Sequence, residues 1–227
     1  MPTPPDLHVV DDPATVVAGL IAEQASGGGS IVLTGGSSVG GAYERAAGLQ
    51  PDWSRVTLWW GDERCVPPDD KRSNYRLAKE TLLDRLAVPP GAVHRMRGEL
   101  APEAAAAEYD AALAGVELQL LLLGLGSDGH MASLFPGSPQ LEVDDRRATW
   151  GPAGLEPFVD RVTLTLPAIR SARRIVFLVS GEGKSDAVAR AFGGEISRDV
   201  PASLARLSEG SVEVFLDRPA ASKLESA

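Results

Sequence analysis

Short apolar runs that alternate with helical segments constrain the fold of this chain more than any other feature. The runs are "SIVLT", "RVTLWW", "VELQLLLLG", "RRIVFLVS" and "SVEVFLD". The inner runs are continuously apolar, which is typical of strands buried on both faces. Helix signals lie between them, such as Asp12 and Pro13 before "ATVVAGLIAEQAS" and the alanine-rich "PEAAAAEYDAAL". The pattern predicts an α/β fold with a mostly parallel sheet and helices on both faces.

The remaining segments are less regular. "VGGAYERAAGL", "NYRLAKETLLDRL" and "GKSDAVARAFGG" favour helices, whereas "AVHRM" and "RVTLTL" favour short strands. "GDERCVPPDDKRS" is interpreted as a long polar loop, and residues 136–160 receive no assignment. Because no internal repeat or long linker interrupts the pattern, we expect a single domain that spans residues 1–227.

Composition and charge exclude several classes of protein. The net charge of −9 argues against a nucleic-acid partner, although a few cationic side chains in a pocket can still bind a small anion. Cys65 is the only cysteine, so no intramolecular disulfide can form. The start "MPTPPDLHVVDDP" lacks the features of a signal peptide, and no apolar run reaches the ~20 residues that a membrane span needs. We therefore expect a cytoplasmic protein without a membrane partner.

Polar residues follow four of the predicted strands, where ligands bind in parallel sheets. The first such loop, in "LTGGSS", contains Thr34, Gly35, Gly36 and Ser37 before a predicted helix. Backbone N–H groups, hydroxyls and a helix N-terminus together favour an anion. No G-K-[ST] follows, so the loop is not a P-loop. A plain turn with a helix cap explains these residues equally well.

The loop "GLGSDGH" has the glycine spacing of the dinucleotide fingerprint. That fingerprint requires a long helix after its last glycine, but Pro136 and Pro139 limit any helix here to a short one. A nucleotide site is therefore disfavoured. His130, one of only three histidines, lies in this loop beside Asp128. Imidazole titrates near neutral pH, so His130 is a candidate general acid and base.

Charged residues follow or begin other strands. Asp62 is a candidate acid/base or orienting group, and Arg64 is a candidate anion clamp. Lys184, in "VSGEGK", and Arg161, at the start of "RVTLTL", are weaker candidates for anion binding. Each of them alone would fit a solvated surface residue as well. No His or Cys spacing indicates a metal site. Together the loops favour acid/base chemistry on a phosphorylated small molecule.

Five motifs resemble one known family when they are taken in order. They are "LTGGSS", "WWGDERCVPPDDKRSNY", "GLGSDGHMASLFPGS", "RVTLTLPAI" and "FLVSGEGKSDAV", which lie between residues 30 and 193. This combination resembles the 6-phosphogluconolactonase family, which is related to glucosamine-6-phosphate deaminase. The resemblance implies a Rossmann-like, NagB-like architecture that binds no dinucleotide.

The resemblance also implies an activity, which is hydrolysis of 6-phosphoglucono-δ-lactone to 6-phosphogluconate in the oxidative pentose phosphate pathway. It implies no metal and no organic cofactor. His130 would activate water and return the proton to the ring oxygen, with Asp128 orienting it, while Arg64 would face the substrate and stabilise the oxyanion. The phosphate would be held by Thr34, Gly35, Gly36, Ser37, Lys184 and Arg161. We expect a monomer or a weak homodimer.

Two alternatives remain open. A glucosamine-6-phosphate deaminase-like isomerase would carry a glutamate before the proline of its H-[IV]-A-F-N-E-P motif, whereas "HMASLFP" has Phe135 there. Asp62 matches the proton-shuttling aspartate of the deaminases and does not discriminate, so its role stays open. A non-catalytic sugar-phosphate sensor would require a basic DNA-binding segment, which this sequence does not show.

Overall fold

Ten strands and six helices form the described part of the chain, residues 4–36 and 38–224 of a computed structural model. The strands are β1 (Asp6–Val9), β2 (Gly29–Leu33), β3 (Val56–Trp60), β4 (Asp62–Arg64), β5 (Ala92–Val93), β6 (Leu120–Leu123), β7 (Ala148–Gly151), β8 (Arg161–Leu164), β9 (Arg174–Val179) and β10 (Ser211–Leu216). The helices are α1 (Pro13–Gly27), α2 (Val39–Leu49), α3 (Asn74–Thr81), α4 (Pro102–Ala112), α5 (Leu166–Arg170) and α6 (Ser185–Val188).

Seven parallel strands form the main sheet in the order β1-β10-β9-β6-β2-β3-β5. Both faces of this sheet are buried. In β6, Leu121 and Leu123 point into one hydrophobic cluster, whereas Leu120 and Leu122 point into the other. Helices α1 and α2 cover one face, and α4, α5 and α6 contribute to the cluster on the other. The predicted α/β class is confirmed, because continuous apolar strands require cover on both faces.

A second, antiparallel sheet with the order β4-β8-β7 corrects two sequence interpretations. The "DER" of the predicted polar loop forms β4, and the unassigned region contains β7. Asp62 pairs with Thr163 in this sheet, and the Leu164 N–H donates to the Gly61 carbonyl at 2.8 Å. Both faces of β4 carry polar or charged side chains, so the strand has no hydrophobic alternation by which it could be recognised.

Several element boundaries also differ from the prediction. The edge strand β1 and the short helix α5 were not predicted, and the "VELQLLLLG" strand is limited to β6. The helix predicted over "NYRLAKETLLDRL" ends at Thr81 and is followed by a 3-10 turn, Leu83–Arg85. "GKSDAVARAFGG" begins in a 3-10 turn, passes through α6 and ends in a π-helical turn, Ala189–Gly193. No helix among the described residues is long and apolar enough to cross a membrane.

The strand order explains where a ligand can enter. From β2 the chain adds β3 and β5 toward one edge, whereas from β6 it adds β9 and β10 toward the other. The order therefore reverses between β2 and β6. Where the loops after two neighbouring strands run in opposite directions, a crevice forms at the carboxyl ends of those strands. The loops "TGGSS" and "GLGSDGH" follow these two strands.

Candidate active site

A cleft of about 180 Å³ lies at this switch point, and a recess of about 100 Å³ adjoins it. The two share Thr34, Gly35, Gly36, Gly124, Leu125 and Lys184. The lining contains seven of the ten residues predicted for the site, which are Thr34, Gly35, Gly36, Asp62, Arg64, His130 and Lys184. Of the other three, Asp128 contacts His130, Arg161 lies beside Arg64, and Ser37 lies outside the described residues.

His130 and Asp128 form a hydrogen-bonded pair in the loop after β6. The distance from Nδ1 of His130 to Oδ1 of Asp128 is 2.6 Å, and the backbone N–H of His130 donates to the same oxygen at 3.1 Å. A carboxylate acceptor favours the tautomer with the proton on Nδ1, which leaves Nε2 as the basic nitrogen. Burial raises the pKa of Asp128, but hydrogen bonds from His130 and its charge outweigh burial and hold that pKa below its usual value.

The glycines of "GLGSDGH" make room for this pair. A Cβ atom at Gly126 would collide with Nδ1 of His130 and with Oδ1 of Asp128. The Gly126 N–H instead donates to the His130 carbonyl at 2.9 Å, which closes the loop around the imidazole. Phe135 covers another side of the ring, with 4.7 Å between the two centroids. Gly126 of this loop therefore leaves space for the His130 and Asp128 side chains.

The recess has the properties of an anion site. Ser38 and Val39, at the start of α2, line it, and Ser38 makes no side-chain capping hydrogen bond in the described structure. The first N–H groups of a helix attract anions when no side chain caps them. Lys184 also lines the recess, and burial lowers the pKa of its ammonium group although the nearby Asp128 opposes that shift.

A buried tyrosine fixes the loop after β2, which lines one side of this recess. The hydroxyl of Tyr43 accepts a hydrogen bond from the Thr34 N–H at 2.9 Å and donates one to the Thr34 carbonyl at 2.8 Å. Tyr43 is fully buried on α2. Both backbone groups of Thr34 are thus satisfied beyond the end of β2, where the strand has no further partner.

Asp62 lines the cleft, and each of its two carboxylate oxygens accepts a hydrogen bond from another segment of the chain. Oδ2 accepts a hydrogen bond from Ser133 Oγ at 2.6 Å, and Oδ1 accepts one from Asn74 Nδ2 at 3.1 Å. Only 7% of Asp62 is exposed. Ser133 is brought there by a tight turn that the Leu134 N–H closes on the Met131 carbonyl at 3.0 Å. This carboxylate therefore joins three separate segments of the chain.

Arg64 and Arg161 lie opposite each other in adjacent strands β4 and β8. Arg64 lines the cleft and donates through Nη1 to the Arg72 carbonyl. Arg161 does not line the cleft: it is buried and donates through Nη2 to the Pro157 carbonyl at 3.0 Å. Burial and the neighbouring Arg64 charge both lower the pKa of Arg161. The Nε–H groups of both side chains are buried without a partner in the described part of the chain, which leaves donors for an anion.

Sequence reasoning missed Glu63, Asn74 and Ser133. Glu63 accepts hydrogen bonds from the N–H groups of Arg64, Asn74 and Tyr75 and from the Ser73 hydroxyl. Burial raises the pKa of this carboxyl group, while these hydrogen bonds favour its charged form. The available signal was their place in two of the motifs that carry the resemblance: Glu63 and Asn74 lie in "WWGDERCVPPDDKRSNY", and Ser133 lies in "GLGSDGHMASLFPGS".

Metal-binding geometry is absent from the described ranges. Among residues 4–36 and 38–224, no group of three or more His, Cys, Asp or Glu side chains is arranged to hold a metal ion. The chemistry that the cleft itself offers is proton transfer at His130 beside a cationic, hydrogen-bonding recess.

Similar proteins share this architecture. The family model described as glucosamine-6-phosphate isomerases/6-phosphogluconolactonase matches residues 8–214. A protein of Streptomyces coelicolor named 6-phosphogluconolactonase is 38% identical over 231 residues, which cover 93% of this chain and 88% of that protein.

Two solved structures have the same fold. The 6-phosphogluconolactonase from Trypanosoma cruzi superposes with a TM-score of 0.85 at 27% identity, covering 100% of this chain and 99% of the other. A monomeric glucosamine-6-phosphate deaminase superposes with a TM-score of 0.86 at 22% identity, covering 96% and 99%. At that identity the second likeness shows the fold alone.

Proposed function

The chain belongs to the glucosamine-6-phosphate isomerase/6-phosphogluconolactonase family, and we propose that it hydrolyses 6-phosphoglucono-δ-lactone to 6-phosphogluconate. The observation that carries this proposal is the His130–Asp128 pair: its histidine lines a cleft that adjoins the recess formed by Lys184 and the start of α2. This arrangement suits a substrate that has a carbonyl to be attacked at one end and a phosphate at the other. The proposed hydrolysis is the second step of the oxidative pentose phosphate pathway.

The reaction needs one proton carrier and one anion site. Nε2 of His130 takes a proton from water as the oxygen attacks the lactone carbonyl, and Asp128 stabilises the imidazolium that forms. Arg64 faces the oxyanion of the tetrahedral intermediate. When the carbon–oxygen bond of the ring breaks, His130 returns the proton to the ring oxygen. The products are then a carboxylic acid and an alcohol, His130 has returned its proton, and no metal or organic cofactor takes part.

The phosphate occupies the recess in this proposal. Its ligands are the loop residues Thr34, Gly35, Gly36 and Ser37, the start of α2, and Lys184. Arg161 is a second guanidinium beside Arg64, and its contact with the phosphate stays a prediction. Each oxygen of the Asp62 carboxylate accepts a hydrogen bond from the protein, and we assign Asp62 an orienting role in the cleft.

The hydrolase is favoured over an isomerase by the surroundings of His130. Phe135 precedes Pro136 and packs on the imidazole, at the place in the motif where the deaminases carry a glutamate. An apolar ring there cannot assist ring opening by proton transfer. A non-catalytic sensor would need neither the 2.6 Å His130–Asp128 pair nor a polar cleft around it.

Four further properties belong to the same proposal. The cleft binds a sugar phosphate and not a nucleic acid. Residues 1–227 act as one domain, since one hydrophobic cluster contains Val32 of the main sheet and Val162 of the second. The protein is a monomer or a weak homodimer. It acts in the cytoplasm, where a chain with a single cysteine needs no disulfide.

The test is an assay with freshly generated lactone, at a pH where spontaneous hydrolysis is slow, with glucosamine-6-phosphate and ammonia release measured in parallel. We expect accelerated lactone loss and no ammonia. The His130→Ala variant should lower kcat by roughly two to four orders of magnitude. His94→Ala is the matched control, because His94 is exposed and does not line the cleft. Ammonia release, or full activity of His130→Ala, would overturn the proposal.

A further inference from the structure

Asn74 is the point at which three parts of the cleft meet. Its side-chain amide donates to the Asp62 carbonyl at 2.9 Å and to Oδ1 of Asp62 at 3.1 Å. Its Oδ1 lies against Gly35 so closely that a Cβ atom on Gly35 would overlap it. Only 2% of Asn74 is exposed, yet it contributes to the cleft lining.

The backbone of Asn74 is itself fixed. Asn74 is the first residue of α3, and its N–H donates to Oε1 of Glu63 at 2.7 Å. The other oxygen of Glu63 accepts from the Tyr75 N–H at 2.8 Å and from Ser73 Oγ at 2.8 Å. A carboxylate at a helix N-terminus satisfies N–H groups that have no partner within the helix. Glu63 therefore fastens the start of α3 to strand β4.

We propose that Asn74 is a positioning residue that holds the Asp62 carboxylate and the Gly35 phosphate loop in a fixed relation to each other. The inference rests on the proposed function, because Asp62 and the Gly35 loop would face opposite ends of the same substrate. Both N–H bonds of the amide are directed at Asp62, so its oxygen must point at the loop. No other side-chain type of this size offers two donors on one side and an acceptor on the other.

The first test reads Asn74 directly. Because the chain has a single asparagine, protein labelled with ¹⁵N only in asparagine side chains gives one pair of amide proton signals. We expect two well-separated signals with slow solvent exchange, and a shift of both when 6-phosphogluconate is added. Asp62→Ala should collapse their separation. Signals at the positions of a free asparagine in the wild-type protein, with fast exchange, would overturn the proposal without any assay of activity.

The second test is the isosteric variant Asn74→Asp. It places a carboxylate beside Oδ1 of Asp62, where two like charges share one proton. We expect kcat/KM to fall by about 30-fold at pH 8 and to recover to within about 3-fold of wild type near pH 5.5, because a protonated carboxyl group restores one donor toward Asp62 and removes the repulsion between the two carboxylates. A purely structural role predicts a loss that does not depend on pH, and that result would overturn the proposal.

Other ionisable groups enter this pH comparison. Glu63, Arg64, His130 and Lys184 also face Asn74 or the cleft around it. They are present in both proteins, so the ratio of variant to wild-type kcat/KM isolates the new carboxyl group. Gln140→Glu is the matched control: it adds a carboxyl group at a buried amide outside the cleft, and its ratio should stay near one at both pH values.

The third test uses the close approach of Gly35. The backbone there is not left-handed, so Gly35→Ala is opposed by the side-chain amide group of Asn74, whose Oδ1 lies nearest. We expect Gly35→Ala to raise KM about 10-fold in the wild type and at most about 3-fold in the Asn74→Ala background, which removes that oxygen. If Gly35→Ala raises KM by the same factor in both backgrounds, the two substitutions act independently, and that result would overturn the proposal. Melting temperatures report the same coupling without substrate, so a failure of the lactonase assignment would remain distinguishable.

Discussion

Replacing Asp128 by asparagine isolates the charge of the residue that orients His130. The asparagine has the same size and retains an oxygen that can accept both hydrogen bonds made by Asp128 Oδ1, at 2.6 Å from Nδ1 and 3.1 Å from the backbone N–H. The ground state, with a neutral imidazole, should change little. The step that forms imidazolium should be slowed, because its Nδ1–H then donates to a neutral acceptor.

The size of the effect follows from these contacts. A hydrogen bond to a charged group contributes about 1.5–3 kcal/mol, and one between neutral groups about 0.5–1.5 kcal/mol. The difference, about 1–1.5 kcal/mol, corresponds to a decrease in kcat of about 10-fold. Asp128→Ala also removes the orientation of the ring and should cost up to about 100-fold, the upper end of the range for removing the partner that orients a metal-ligating histidine. Asp128 does not line the cleft, so KM should change little in either variant.

The assay follows proton release from freshly generated lactone, after subtraction of the spontaneous rate. Asp145→Asn is the control, since Asp145 is an exposed carboxylate that pairs with Arg146 and does not line the cleft. A loss in Asp128→Asn as large as in His130→Ala would refute the reasoning, because the Asp128 charge would then contribute far more than one hydrogen bond to the imidazolium. Wild-type kcat in Asp128→Ala would refute it as well.

Three other predictions concern binding and stability. Lys184→Met should raise KM by about 10- to 100-fold in steady-state kinetics and leave kcat nearly unchanged, because an ion pair with phosphate contributes equally to ground and transition states. Tyr109→Phe should lower the free energy of unfolding by about 2–4 kcal/mol in urea titrations, since the buried hydroxyl accepts from the Trp60 N–H at 2.7 Å and donates to its carbonyl at 2.9 Å. The hydrogen bond from Arg95 lowers the pKa of Glu99 to about 2, so this carboxylate stabilises the fold above its ordinary pKa of 4.5 and loses that effect as pH falls toward 2. Glu99→Gln should therefore cost about 0.5–1 kcal/mol at pH 7 and almost nothing at pH 2.

The main sheet was predictable because its physical cause is local. A strand such as β6 has four consecutive buried leucines, and that run is visible in the sequence whatever lies around it. The start of α1 was equally visible, because the Asp12 side chain accepts from the Thr15 N–H three residues later. Strand β4 was not predictable in this way. Its partner β8 is about a hundred residues away, and neither face of β4 is apolar.

The candidate site was predicted to the extent that its residues follow main-sheet strands. The loops after β2 and β6 were recognised, and Thr34, Gly35, Gly36 and His130 line the cleft, while Asp128 contacts it through His130. The roles given to these residues stay predictions. The position of Arg161 beside Arg64 could not be anticipated, because it depends on the pairing of β8 with β4.

The residues that were missed have one physical property in common: a polar side chain is buried only because distant segments cover it. The "DER" of β4 followed by a polar segment is typical of a solvated loop, and composition alone gives no reason to think otherwise. Glu63 is nevertheless 2% exposed, since the start of α3 lies over it, and Asp62 is covered from 71 residues away by Ser133. Burying a carboxylate is costly unless several donors compensate it. A chain that buries Asp62 and Glu63 side by side therefore has to bring Ser73, Asn74 and Ser133 to them, and those donors are where further site residues should be sought.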